Sequence, residues 1–160
     1  MRLAVFSDSH GRVSALREAF FQQPLADGYI FLGDGDGDWA EITASAKTDK
    51  RLVQVRGNCD WNPELKGTVY LNWGSVRILC THGHLYHVKD STYDLVAAAR
   101  ENNCQIALFG HTHQSLSTYE NGIYLLNPGS VSRPREGDWP SYGIVDITDQ
   151  GIFCNVVKLL

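Results

Sequence analysis

Apolar runs three to five residues long recur along the chain, each ending abruptly in glycine, aspartate, asparagine or histidine. Leu3–Phe6, Tyr29–Leu32 and Leu52–Val55 are too short for helices and read as buried strands. Between them, Val13–Gln23 carries apolar residues at helical spacing and meets Pro24, and Trp39–Lys47 reads as a shorter helix. The front half is therefore β-α-β-α-β. The pattern then changes: Thr68–Trp73 and Val76–Cys80 flank Gly74 as an antiparallel hairpin. Asp90–Asn103 is the strongest helix, with Asp90 or Ser91 as its N-cap. Ile106–Phe109 is another buried strand. Leu116–Tyr119, Ile123–Leu126, Tyr142–Ile147 and Ile152–Leu160 follow as strands, with turns at Asn121-Gly122 and Asp149-Gln150-Gly151. The prediction is one mixed α/β domain over residues 1–160, with two packed sheets flanked by helices. Local pattern does not order the strands.

Composition narrows the function classes. A 160-residue chain, 43% hydrophobic and 20% charged, can hold an ordinary core. Lys+Arg 14 against Asp+Glu 18 gives a net charge of −4, which argues against extended nucleic acid as a partner. Cys59, Cys80, Cys104 and Cys154 form no C-x-x-C pair, and no run reaches the roughly 18 apolar residues that cross a bilayer. Only four apolar residues precede Ser7-Asp8, too few for a signal peptide. These features predict a cytoplasmic protein with no membrane association.

The polar residues that end the runs carry the chemistry. Asp8/His10, Asp34, Asn58, His82 and His111/His113 each follow an apolar strand candidate. Ligand groups in α/β folds converge at the carboxyl ends of strands. Five of the six histidines (His10, His82, His84, His111, His113) lie in these breaks. Carboxylate, amide and imidazole together suit Mn, Fe, Ni or Zn. A carboxylate such as Asp34 has two oxygens and can bridge a metal pair. The run Asp34-Gly35-Asp36-Gly37-Asp38 superficially suggests a calcium loop, but Trp39 and Ser45 stand where such a loop needs Gly and Glu. Asp36 and Asp38 are read instead as a solvated turn before a helix.

Asp8-Ser9-His10, Gly33-Asp34, Gly57-Asn58-Cys59-Asp60, Thr81-His82-Gly83-His84 and Gly110-His111-Thr112-His113 resemble, in order, the five blocks of the calcineurin-like metallophosphoesterases. Asn127-Pro128-Gly129-Ser130 extends the match, and the Gly-Asn-Cys-Asp form is similar to the small single-domain phosphodiesterase branch. The resemblance implies a four-layer α-β-β-α sandwich with two mixed sheets. It implies two divalent metal ions, Mn first among Mn, Ni, Fe, Co and Zn. Asp8, His10 and His113 would hold one, Asn58, His82 and His111 the other, with Asp34 bridging. A metal-bridging hydroxide would then hydrolyse a small phosphodiester. Members are often dimers or tetramers, so a homo-oligomer is also implied.

Many members carry His after the Gly-Asn pair. Cys59 stands there instead, and a thiol with pKa near 8.5 is a poor proton donor at neutral pH. Catalytic candidates are thus Asn58, Cys59 and His84, with Asp60 or metal-bound water as further proton sources. Cys59 as nucleophile lacks a supporting cysteine-enzyme signature. Arg56, Arg133 and Arg135 are candidates for meeting a substrate phosphate. The rival readings are a scaffold that keeps the fold without the chemistry, as in a retromer subunit that resembles this family, a phosphomonoesterase, or a nuclease.

Overall fold

The computed structural model describes residues 1–160. The elements run β1 (Arg2–Phe6), α1 (Val13–Phe21), β2 (Gly28–Phe31), α2 (Asp36–Ala46), β3 (Arg51–Gln54), β4 (Thr68–Trp73) and β5 (Val76–Thr81). A single 3₁₀ turn at His84–Tyr86 leads to α3 (Tyr93–Glu101). The chain closes with β6 (Ile106–Leu108), β7 (Ser115–Glu120), β8 (Ile123–Pro128), β9 (Ser141–Thr148) and β10 (Gly151–Lys158).

Two five-stranded mixed sheets result, in the orders β10-β9-β1-β2-β3 and β4-β5-β6-β8-β7. In the first, β1, β2 and β3 are parallel and β9 pairs antiparallel with β1. In the second, β5, β6 and β8 are parallel, with β4 and β7 antiparallel at the edges. The reason lies in the continuous apolar runs, since a strand covered on both faces cannot alternate apolar with polar. Alternation survives as a division of labour between faces. Leu3 and Val5 of β1, Ile30 of β2, Ile78 and Cys80 of β5, and Ile106 and Leu108 of β6 enter the core between the sheets. Their neighbours Ala4, Phe6, Tyr29 and Phe31 face α1 and α2, where they meet Leu16, Phe20, Trp39 and Ile42. Leu79, Ala107 and Phe109 face Leu95, Val96 and Ala99 of α3. The architecture is thus a four-layer α-β-β-α sandwich.

Helix starts depart from the sequence-based expectation. α2 begins at Asp36, so Asp36 and Asp38 are not a solvated turn but the acidic first turn of the helix, where carboxylates suit the positive end of the dipole. α3 begins at Tyr93 with Thr92 as N-cap, not Asp90 or Ser91. The Ser91 hydroxyl instead accepts the Tyr93 N–H at 3.0 Å, and the Thr92 hydroxyl donates to Glu120 Oε2 at 2.9 Å. No helix is long and apolar enough to cross a membrane.

Ile78 is fully buried between the sheets, whereas Leu25 is 87% exposed. Ile78→Ala is expected to cost about 2–5 kcal/mol in denaturant unfolding, and Leu25→Ala less than about 0.5 kcal/mol.

Candidate metal centre

The site forms at the C-terminal ends of the parallel strands. Asp8 and His10 follow β1, Asp34 follows β2, His82 follows β5, and His111 and His113 follow β6. Five of these six residues (Asp8, His10, Asp34, His111 and His113) hold the left-handed backbone conformation, with φ between 46° and 68°. L-residues adopt this region at a cost, and such strain concentrates where side chains must be aimed at a common point.

Three glycines allow the close approach. A Cβ on Gly57 would lie 2.0 Å from Asp34 Oδ1 and 2.4 Å from the Asp34 nitrogen. One on Gly110 would lie 2.0 Å from Ser7 Oγ and 2.8 Å from Asp8 Oδ2. Gly33, at φ +98°, would collide with the Gly57 backbone at 2.5 Å. The glycine in each motif is therefore a steric requirement of packing backbone against carboxylate.

Two groups of donors share the pocket: Asp8, His10 and His113, and Asp34, His82 and His111. In each, one ligand-type atom per residue lies within 4.8 Å of the others. Asp8 Oδ1 sits 3.2 Å from His113 Nε2, 3.6 Å from His10 Nε2 and 3.8 Å from His82 Nε2. Asp34 Oδ2 sits 3.3 Å from His82 Nε2 and 3.7 Å from His10 Nε2. Nitrogens of His10 and His113 are 3.1 Å apart, and those of His111 and His82 3.2 Å. Asp34 and His10 thus reach toward both groups.

The surroundings prepare these atoms for a cation. His82 Nδ1 donates to the Leu32 carbonyl at 2.7 Å, and His113 Nδ1 donates to the Arg133 carbonyl at 2.7 Å. Since a carbonyl only accepts, each Nδ1 carries a proton and each Nε2 is the ring nitrogen turned toward the site; against burial, the neighbouring Asp34 and Asp8 carboxylates raise both imidazole pKa values. Asp8 Oδ2 accepts from Ser7 Oγ at 2.6 Å and the His111 N–H at 3.1 Å. Its Oδ1 is buried and has no hydrogen-bond partner. Buried acceptors are normally satisfied, so this orphaned oxygen fits the role of a cation ligand.

Charges within the site are strongly coupled. Burial raises the Asp8 carboxyl, but contacts with His10, His113, His82 and Ser7 outweigh it and leave it far below the usual range. Asp34 follows the same course: burial raises it, and His82 and the Cys59 N–H bring it below its ordinary value. His111 is pushed down to about 4, first by burial and then by the charge of His82. It stays neutral, as a ligand imidazole must. Oxygen and imidazole donors in this number fit divalent ions of the Mn, Fe or Zn type.

The remaining expected residues lie at the rim. Asn58 is exposed, and its amide Nδ2 donates to Cys59 Sγ at 3.4 Å. Cys59 Sγ groups with His10 and Asp34, while the Cys59 N–H donates to Asp34 Oδ1 at 2.8 Å. Its thiol pKa is raised, first by burial and then by the Asp34 charge, so it remains an S–H. The His84 ring lies 5.5 Å from that of His82 and 6.0 Å from that of His111, with a buried, unpartnered Nδ1. Burial and the His82 charge lower its pKa.

Several residues take supporting roles that the sequence reading did not assign to them. The Asp60 carboxylate accepts the N–H groups of Asp34, Gly35, Asp36 and Gly57 at 2.7–3.0 Å. With two N–H groups on each oxygen, it anchors these loops to one another. Its spacing, three residues after Gly57 and opposite the Gly-rich run 33–37, is the trace that such a cap leaves. Buried Asn127 donates to the Gly110 carbonyl at 3.0 Å and to Thr112 Oγ1 at 2.9 Å, bracing the His111–His113 loop. Ser130 Oγ donates to the Asp8 carbonyl at 2.7 Å, and Ser132 Oγ donates to that of Ser9 at 2.8 Å. Asp38 Oδ2 accepts from Ser9 Oγ at 2.6 Å and from the Gly11 N–H at 2.9 Å.

A two-sheet sandwich in which four parallel strands, β1, β2, β5 and β6, lead carboxylates and imidazoles into one pocket defines a metal-dependent hydrolase architecture. Residues 1–150 match the family model of the calcineurin-like phosphoesterase superfamily domain, and the chain belongs to that family. It is 32% identical over 148 residues to the probable metallophosphoesterase YsnB of Bacillus subtilis strain 168, covering 92% of this chain and 85% of that protein. It is 31% identical to the phosphodiesterase YfcE of Escherichia coli K12, over 98% of this chain and 97% of that one. Among solved structures, a predicted phosphoesterase from Streptococcus pneumoniae TIGR4 superposes with a TM-score of 0.83 at 27% identity, over 98% of this chain and 88% of that one.

Asn127→Ala leaves the Gly110 carbonyl and Thr112 short of a buried donor. It is expected to lower unfolding free energy by about 1–3 kcal/mol, and Asp60→Ala, which frees four N–H groups, by at least as much. Calorimetry of both variants checks this.

Proposed function

We propose that the protein is a phosphodiesterase that uses two divalent cations, manganese first among them, to hydrolyse small phosphodiesters. The observation that carries this reading is the buried, unpartnered Asp8 Oδ1 facing three imidazole nitrogens. In the proposal Asp8, His10 and His113 hold one ion, and His82 and His111 the other. Asp34 serves both, and Asn58 completes the second from the rim. Bound there, the ions would lower the pKa of a water and offset negative charge on phosphoryl oxygens.

The chain's own residues do the rest. The Leu32 and Arg133 carbonyls hold His82 and His113 with Nε2 inward. The Cys59 N–H fixes one Asp34 oxygen and leaves the other for the site. His84, kept neutral by burial and by His82, supplies a hydrogen bond to a bound oxygen and not a proton to a leaving group. Cys59 stays protonated, so it is no thiolate nucleophile. Lacking a strong acid, the enzyme suits diesters with good leaving groups.

A diester is favoured over a monoester by the cleft beside the centre. This 310 Å³ space is lined by His10, Asp34, Asp36, Asp38, Cys59 and Asp60 together with three glycines, and no lysine or arginine enters it. A monoester dianion meets more repulsion there than a diester monoanion.

Protein treated with a chelator is expected to lose hydrolysis of bis(p-nitrophenyl) phosphate and to regain it with Mn²⁺. Asp34→Asn should lower kcat/KM by about a thousandfold or more. No turnover with Mn, Ni, Co, Fe or Zn overturns the reading in favour of a scaffold, and turnover of aryl monoesters alone favours a phosphomonoesterase. Cys59→Ser should retain activity within about tenfold of the parent, measured on the same substrate; complete loss would reinstate the thiol as an essential group.

A further inference from the structure

Of the four tryptophans, Trp39 and Trp73 are buried, and Trp139 carries the Lys158 ammonium 5.1 Å over its ring. Trp61 is different. It is 92% exposed, with neither another ring nor a cation stacked against it. Tryptophan is normally a largely buried residue, and an indole left in water is costly unless something covers it in the working state.

Its backbone position is held tightly. Residues 57–66 form a loop closed at its neck by the Arg56 N–H, which donates to the Lys66 carbonyl at 2.9 Å. Asp60, immediately before Trp61, lines the cleft and grips three backbone N–H groups on its wall, those of Asp34, Gly35 and Asp36, besides that of Gly57. Asn62, immediately after it, donates its N–H at 3.3 Å to Asp36 Oδ2, another cleft residue. Trp61 therefore stands on a segment fastened on both sides to the cleft next to the candidate metal centre. A rigid aromatic on a pre-ordered loop loses little entropy when it binds a flat group.

The cleft also limits what that group is. With Asp34, Asp36, Asp38 and Asp60 along it and no basic side chain, a second phosphate is disfavoured, whereas an uncharged flat surface is not. We propose that Trp61 is a specificity residue whose indole stacks on a flat, uncharged arm of the phosphodiester, an aryl ring or a nucleobase. This rests on the phosphodiesterase reading above.

The test follows the ratio of kcat/KM for flat-armed over wholly aliphatic diesters. Mn-loaded parent, Trp61→Ala and Trp61→Phe are compared by ³¹P NMR on a phenyl-bearing diester, a nucleoside-bearing diester and a glycerol-bearing diester. Trp61→Ala is expected to lower the ratio about tenfold or more through KM, and Trp61→Phe to restore most of it. Loss with the nucleoside substrate alone identifies a nucleobase as the stacked group, and equal loss with both flat substrates identifies any aryl surface. A ratio within twofold of the parent overturns the inference and leaves the phosphodiesterase reading standing. Should no diester be turned over, that reading fails, and the stacking is judged by titrating a nonhydrolysable phenyl phosphonate monoester: weaker binding by Trp61→Ala supports it, and equal binding overturns it. Because the side chain is exposed, the variants keep the parent's fold, which their thermal midpoints verify.

Discussion

Two carboxylates hidden side by side govern this molecule. Asp8 and Asp34 end adjacent parallel strands, and almost none of either side chain reaches solvent. Burying an ionised carboxylate costs several kcal/mol unless hydrogen bonds and opposite charge compensate. The surroundings can be understood as that compensation: the Ser7 hydroxyl, the His111 and Cys59 amides, and a ring of imidazoles. Even so, one oxygen of Asp8 is left without a hydrogen-bond donor. The left-handed backbones and the glycines at 33, 57 and 110 follow from the same constraint, since only they let five loops crowd around two small anionic groups.

Support for this cluster comes from far along the chain. Asn127 and Ser130, at the end of β8 and just beyond, hold respectively the loop of His111 and the backbone of Asp8. Asp60 ties the β3 loop to the β2 loop through four N–H groups. Each of these residues uses a short polar side chain to satisfy a backbone group of a distant segment. The functional side chains are consequently positioned by these backbone ties as well as by their contacts with one another.

Much of this was legible in the amino-acid order. Strands such as β1, β2 and β6 declared themselves as unbroken apolar runs because both their faces are covered. The residues gathered in the pocket stood out because chemistry dictates their types and each directly follows a strand. What stayed hidden has physical causes. Strand order depends on long-range pairing, so nothing local announces that β9 inserts beside β1. Three consecutive polar residues, Asp90, Ser91 and Thr92, are all acceptable caps, and the contact between Thr92 and Glu120 decides among them. Asp60 read as a further proton source and Asn127 as a turn residue, because the groups they satisfy lie on other loops.

Each donor group draws from both halves of the sandwich. Asp8 and His10 extend from one sheet and are completed by His113 from the other, while Asp34 from the first is completed by His82 and His111 of the second. A complete donor set is thus a property of the finished sandwich, absent from either half of the polypeptide taken alone. During synthesis, the first two donors must wait for about a hundred more residues before their partners exist. An ion bound there would act as a rivet through both plates, resisting their sliding and tying the completed site to the completed fold.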